Sequence, residues 1–275
     1  MWRLFTASVR GAAHISASLP NQDAVSVQGH PAEEGREPLA VAVADGHGDP
    51  RHFRSGRGSQ LAVEVACALA SQFAADVDGV LSPAALRDRL RDRLVPAVVD
   101  GWRAAVLRDL EADPLAPEER AQTGARVVVA YGSTLLLAVL AGQRVMIAQI
   151  GDGDVLAVER SGRAVSPLPP DPWIHGRFTT SLCQEDPLAS FRVAVLDLDT
   201  TPLALLLLAT DGFANSQVND PWYEQFGTDL LGLLTRYGAD WVGAHLPEWA
   251  ASCASTAGSG DDTTLALLVD SQAPR

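Results

Sequence analysis

The chain has 275 residues, 47% of them hydrophobic, and a formal net charge of −13. That is ample material for one large domain with a full core, and an acidic chain without a basic block is a poor candidate for nucleic-acid binding. Three scattered cysteines, Cys67, Cys183 and Cys253, form no CxxC pair, which argues for a reducing compartment and against a zinc cluster.

The start, MWRLFTASVRGAAH, carries no signal-peptide h-region. The segment Arg3 to Val9 reads as an opening strand, Gly11 to Asp23 as a loop, and Ala24 to Val27 as a short strand. A Pro-, Gly- and charge-rich hairpin loop from Gly29 to Pro38 leads into Leu39 to Ala44, an unbroken apolar run that predicts a fully buried strand. It ends in Asp45-Gly46-His47-Gly48. Asp49 to Gly58 is polar and arginine-rich. Ser59 to Ala75 has helical spacing, with Leu61, Val65, Leu69 and Phe73 on one face. Ser82 followed by Pro83 reads as an N-cap and first helical position; this second helix is expected to run to about Leu110 with a break near Pro96, and Ala112 to Thr123 to be a connection.

A β-rich block follows: Ala130 to Leu140, Arg144 to Ile150 and Val155 to Glu159. Pro167 to Ala189 has no clear period and is expected to be a surface flap, at about 167–190. Its Trp173 reads as a packed anchor of its own loop, beside His175 and Arg177. Strands resume at Phe191 to Leu198 and Leu203 to Ala209. The latter is the longest apolar run and is too short to span a bilayer. Helices at about Thr228 to Tyr237 and Trp241 to Ser255 precede a final strand, Thr263 to Val269. Without repeats or linkers the chain reads as one domain, 1–275, soluble and cytoplasmic.

The chemistry concentrates at strand ends. Asp23 in NQDA, Asp45 in ADGHG, Asp152 in IGDGD and Asp211 in ATDGF each abut an apolar strand, and Asp261-Asp262 precedes the last one. A single Asp-Gly is a common turn; the signal is the set and its order. Hard cations such as Mg²⁺ and Mn²⁺ take oxygen ligands, and aspartates from separate strand ends suit a metal pair about 3.5–4 Å apart that activates water and neutralises a phosphoryl group.

The motifs NQDA, VADGHG, YGSTLLLAV, IGDGD, LATDGF and GDDTTLALLV, spanning Asn21 to Val269, resemble those of the metal-dependent protein phosphatases of the protein phosphatase 2C family, in the family's order, and look most like a divergent bacterial branch. The resemblance implies an α+β fold: a four-layer α-β-β-α sandwich of two antiparallel sheets flanked by helices, with the metal site at one edge. It implies hydrolysis of phosphoserine and phosphothreonine in a protein substrate, opposite a Ser/Thr kinase, with a binuclear Mg²⁺ or Mn²⁺ centre. By position, Asp45 matches the carboxylate bridging the metals, the Gly46 carbonyl a backbone ligand, and Asp211 and Asp261 the further ligands, with Asp262 the polar neighbour. Asp23 matches an acidic residue bound directly or through water, and Asp152 one that helps hold a third, weaker metal in bacterial members. His47 matches the general acid for the leaving alkoxide, a role suited to a group that carries a proton near neutral pH.

Three positions depart from the family pattern. Ser18 stands where an arginine commonly grips phosphate, Gln22 where a glutamate precedes the first aspartate, and Asn215 where an aspartate often follows Asp211. One of Arg51, Arg54 and Arg57 is expected to replace the missing guanidinium. His14 reads as structural, Cys183 as a small buried residue without an activating base, and Gly132-Ser133-Thr134 as the start of a core strand rather than a nucleophile elbow. Two other functions share this fold: a non-catalytic binding module, motivated by Ser18, and an esterase for small phosphate esters. Retention of Asp45, Asp211 and Asp261, which repel one another without metal, argues against the first.

Overall fold

The computed structural model describes residues 2–29, 38–76, 81–174, 178–217 and 222–270. Two five-stranded antiparallel sheets face each other. One runs β1 (Trp2–Val9), β10 (Thr263–Asp270), β9 (Leu203–Ala209), β6 (Asp154–Glu159), β7 (Ala164–Val165); the other runs β2 (Ala24–Gln28), β3 (Leu39–Ala44), β4 (Leu135–Ala141), β5 (Arg144–Ile150), β8 (Arg192–Asp197). The helices α2 (Ser55–Ala75), α3 (Pro83–Arg89) and α4 (Val95–Ala112) cover the second sheet. The helices α7 (Trp222–Tyr237) and α8 (Ala239–Cys253) cover the first. The result is the expected α-β-β-α order of layers.

β3 shows how the sequence sets this up. Alternate strand residues point to opposite faces. Leu39, Val41 and Val43 enter the layer between the sheets, against Leu206, Leu208 and Leu268. Ala40, Ala42 and Ala44 face the helices. Small residues on that face let α2 approach closely, and α2 answers with Ala62, Ala66 and Ala70, all fully buried. The stripe Leu61, Val65, Leu69 and Phe73 is less deep: only Leu61 is buried, and the other three are partly exposed. At Gly101 of α4, a side chain would meet Val65 and Leu69 at 2.8 and 3.1 Å, so this stripe reaches toward α4.

Several boundaries differ from expectation. α2 begins at Ser55, four residues early, after a 3₁₀ turn at Pro50–His52. The loop Gly11 to Asp23 contains the short helix α1 (Ala12–Ser16), and the connection after Ala112 contains α5 (Pro117–Thr123). α7 starts at Trp222 rather than Thr228. Val127–Tyr131 is a 3₁₀ turn, and the strand expected from Ala130 starts at Leu135. Ser82 caps α3 as expected, its Oγ accepting from the Ala85 N–H at 3.2 Å. The break near Pro96 is a single π turn, Leu90–Leu94; proline lacks the N–H for the i→i−4 ladder and crowds the carbonyl four residues back, which widens the preceding turn. The hairpin loop at 30–37 lies outside the described residues.

Candidate metal centre

Strand register brings the acidic turns to one end of the sandwich. Ala24 at the start of β2 pairs with Ala44 at the end of β3, and Leu265 near the start of β10 pairs with Ala209 at the end of β9. Leu135 at the start of β4 pairs with Ile150 at the end of β5. Asp23, Asp45, Asp152, Asp211 and Asp261 each flank one of those ends. Asp211 is the first residue of the one-turn helix α6 (Asp211–Ala214).

Carboxylate oxygens of Asp45, Asp152 and Asp211 lie within 4.8 Å of one another. The Asp45 backbone is clamped by Thr134: Asp45 N–H donates to Thr134 Oγ1 at 3.0 Å, and Thr134 N–H donates to the Asp45 carbonyl at 2.9 Å. Gly46 sits where a side chain would come within 2.7 Å of the Gln22 carbonyl oxygen and 2.8 Å of Ser55 backbone atoms. Only glycine allows the loop to lie between these two segments. Asn215 Nδ2 donates to Asp211 Oδ2 at 3.0 Å, so the departure from aspartate at 215 here supplies a donor that orients a carboxylate.

Asp23 is buried; its Oδ2 accepts from Thr210 Oγ1 at 2.8 Å, while its buried Oδ1 has no partner. The adjacent pair at 261 and 262 divides its roles. Asp262 is buried and accepts from the Gly11 and Gln22 N–H groups, both at 2.6 Å, with His14 Nδ1 at 2.7 Å. Asp261 is half exposed and close enough to act electrostatically on Asp45 and Asp211. His14 therefore has a structural partner in Asp262.

These carboxylates hold protons unusually tightly. Burial, then the charges of Asp23, Asp211, Asp261 and Asp152, raise Asp45 well above the carboxylate range. Burial pushes Asp23 up to about 8 and, with Asp152 and Asp261, pushes Asp211 up to about 7. Burial also raises Asp152, and burial with Asp152 pushes Asp154 up to about 6. Crowded, desolvated carboxylates with an orphaned oxygen on Asp23 make an all-oxygen donor set short of positive charge. Such a set fits a hard divalent cation.

His47 is held by its N–H to the Gly132 carbonyl at 3.1 Å, with its ring edge-on to His52, centroids 5.0 Å apart. Burial first, then His52, lowers its pKa to about 4. Of the three arginines, Arg54 and Arg57 point into other structure. Arg54 donates to the Asp113 carbonyl and Tyr131 Oη, at 2.6 and 3.0 Å, and Arg57 to Asp109 at 2.7 Å. Arg51 is exposed and pairs with Asp49 at 3.0 Å. Ser18 adopts a left-handed φ of 58° after α1.

No pattern in the sequence marks Arg192, His52, Thr134 or Thr210 as a site residue. Arg192 is partly buried, donates to the Gly151 carbonyl at 2.6 Å and lies near Asp152, Asp154 and Asp171. Asp154 was visible as the second carboxylate of IGDGD. In the flap, Trp173 is a correction: it is 65% exposed, not a packed anchor. His175 and Arg177 lie outside the described residues. Cys183 is buried, burial raising its thiol pKa, and Ser133 Oγ donates to the Thr134 carbonyl at 2.8 Å. Neither resembles a nucleophile.

Residues 10–250 match the sequence profile of protein phosphatase 2C. The chain is 30% identical over 276 residues to serine/threonine-protein phosphatase 3 of Escherichia coli (strain K12), covering 98% of both chains. The catalytic domain of the serine/threonine protein phosphatase PstP, solved in complex with two manganese ions, superposes with a TM-score of 0.58 at 19% identity, over 98% of this chain and 97% of that one. A serine/threonine phosphatase from Staphylococcus aureus gives 0.59 at 16%, over 98% and 95%.

Proposed function

The chain belongs to the protein phosphatase 2C family, and from that premise we propose that it is a serine/threonine protein phosphatase that hydrolyses phosphoserine and phosphothreonine with metal-activated water. The observation that carries this reading is the convergence of Asp45, Asp152 and Asp211.

Asp45, with the Gly46 carbonyl, would hold a binuclear Mg²⁺ or Mn²⁺ centre; Asp211 and Asp261 would complete the second position, Asp23 would bind directly or through water, and Asp152 would serve a third, weaker one. When bound, the metals supply an activated water and neutralise phosphoryl charge. The chain's own residues then do the rest. Thr134 fixes the Asp45 backbone and Asn215 holds the Asp211 carboxylate, so these ligand positions are set before metal arrives. His47 gives a proton to the departing serine or threonine oxygen. Burial keeps it neutral in the resting site, and a phosphate dianion beside it raises its affinity for that proton. Arg51 is the guanidinium of the three whose ion-pair partner is its own exposed neighbour Asp49, not another element of the fold, and it is the one retained for phosphate. The substrate is a phosphorylated protein, opposing a Ser/Thr kinase, and the setting is the cytoplasm; among the described residues no helix is long and apolar enough to cross a membrane.

The experiment is hydrolysis of a phosphothreonine peptide and a chromogenic phosphate ester with and without Mn²⁺. Turnover that requires metal, and that Asp211→Asn abolishes, is expected. Folded protein that turns over neither substrate with any divalent metal contradicts the proposal.

A further inference from the structure

β8 is an edge strand: β5 pairs with one side of it and, among the described residues, no strand pairs with the other. Such an edge offers unpaired backbone donors and acceptors to another chain. A hollow of about 390 Å³ lies along Val193 to Leu196 and is lined also by Arg87 and Arg91 of the α3–α4 segment and by Pro167 and Pro169. Four consecutive strand residues line it. Since alternate residues point to opposite faces, the hollow follows the strand's backbone edge rather than one of its faces.

The charge of the groove is unlike that of the chain. The protein carries −13, yet this lining has two arginines and no carboxylate. Arg87 and Arg91 are exposed, and neither forms an ion pair or side-chain hydrogen bond among the described residues. Like charges four residues apart oppose helix formation, so this pair is not explained by the stability of its own helix.

The groove also adjoins the hollow at Asp152. Pro169 belongs both to it and to a larger hollow of about 850 Å³ lined by Asp152, Asp154 and Arg192. Arg192 opens β8 and reaches the Gly151 carbonyl beside Asp152.

We propose that the β8 edge, with Arg87 and Arg91, receives an extended acidic segment of the phosphoprotein substrate. Its backbone adds to β8 as a further strand and its carboxylates meet the two guanidiniums. Arg192 stands at the Asp152 end of β8 and the groove runs on from Val193 to Leu196; with an extended chain advancing about 3.3 Å per residue, the acidic positions lie at least about three residues from the phosphorylated one. The inference rests on the phosphatase reading for its substrate, and on the groove alone for binding.

The test has two arms, both on the full chain with Mn²⁺. The first is fluorescence anisotropy of a labelled, unphosphorylated peptide with glutamates at the predicted spacing. It is compared with a glutamine version and with one N-methylated at alternate backbone nitrogens. The second is the ratio of kcat/KM for acidic and neutral phosphothreonine peptides, with glutamates on either side of the phosphorylated residue. Expected are tighter binding of the acidic peptide, weakening on N-methylation, and an acidic preference of about tenfold expressed in KM, typical of two exposed charge pairs. In Arg87→Glu/Arg91→Glu, with an unchanged melting temperature, that preference is lost. Equal binding of the glutamate and glutamine peptides, or a preference that survives the double substitution, overturns the proposal. Acidic binding without phosphopeptide turnover supports the groove and contradicts the phosphatase reading.

Discussion

At the scale of single residues, oriented side chains decide the site. His47 as proton donor predicts a dependence on the leaving group. His47→Gln lowers kcat for a phosphothreonine peptide by about 10²-fold, within the usual range for a general acid, and changes nitrophenyl phosphate turnover far less, because nitrophenolate leaves without a proton. Equal loss on both substrates removes the role. Thr210 is the hydroxyl that satisfies Asp23 Oδ2 inside the fold. Thr210→Val leaves a buried acceptor without its donor and is expected to cost about 1–3 kcal/mol, read by urea denaturation of the metal-free protein. Residue identities were the best-read level of the sequence: all five acidic turns are flagged by Asp or Asp-Gly at strand ends. The polar supports were not, because Thr134, Thr210 and Arg192 sit in or next to strands, and only register brings them to the carboxylates.

At the scale of elements, apolar runs such as Leu39 to Ala44 and Leu203 to Ala209 reveal their strands directly, since each is bounded by an abrupt polar turn. The start of α2 was hidden because Ser55 to Gly58 is polar and glycine-rich, and its reason is tertiary. Gly58 lies against the 3₁₀ turn: a side chain there would meet the Tyr131 carbonyl oxygen at 2.0 Å, and the Gly58 carbonyl accepts from Trp102 Nε1 at 3.0 Å. Three elements meet on a residue that local propensity would exclude from a helix. Gly58→Ala therefore destabilises the protein, by about 1–3 kcal/mol or more as overpacking does, although alanine favours helix by roughly 1 kcal/mol. A thermal melt shifted downward is expected; an upward shift contradicts the packing argument.

At the scale of the molecule, layer order came from the family resemblance, since periodicity cannot say which strands share a sheet. The crossing from β5 to β6, which moves the chain from one sheet to the other at Asp152, has no local signature beyond its glycines. The assembled site places its charge in one region, and stability inherits this. Asp23 and Asp211 are pushed up to about 8 and 7, so each binds its proton more tightly folded than unfolded. Their stabilisation is present below about pH 4, the unfolded carboxylate value, and is lost as pH rises through 7 to 8. The melting temperature of chelator-treated protein is predicted to fall between pH 5 and 8, with saturating Mn²⁺ removing the fall, since metal binds the deprotonated site. A flat or rising metal-free profile contradicts this.

The central claim is that the carboxylate end of the sandwich is a divalent-metal centre. Titration of the chelator-treated protein with Mn²⁺ in a calorimeter, in buffers of different ionisation heat, tests it without relying on turnover. The account predicts two Mn²⁺ per chain, protons released on binding, and loss of the tighter event in Asp45→Asn. No binding at millimolar Mn²⁺, or binding untouched by Asp45→Asn, would contradict it.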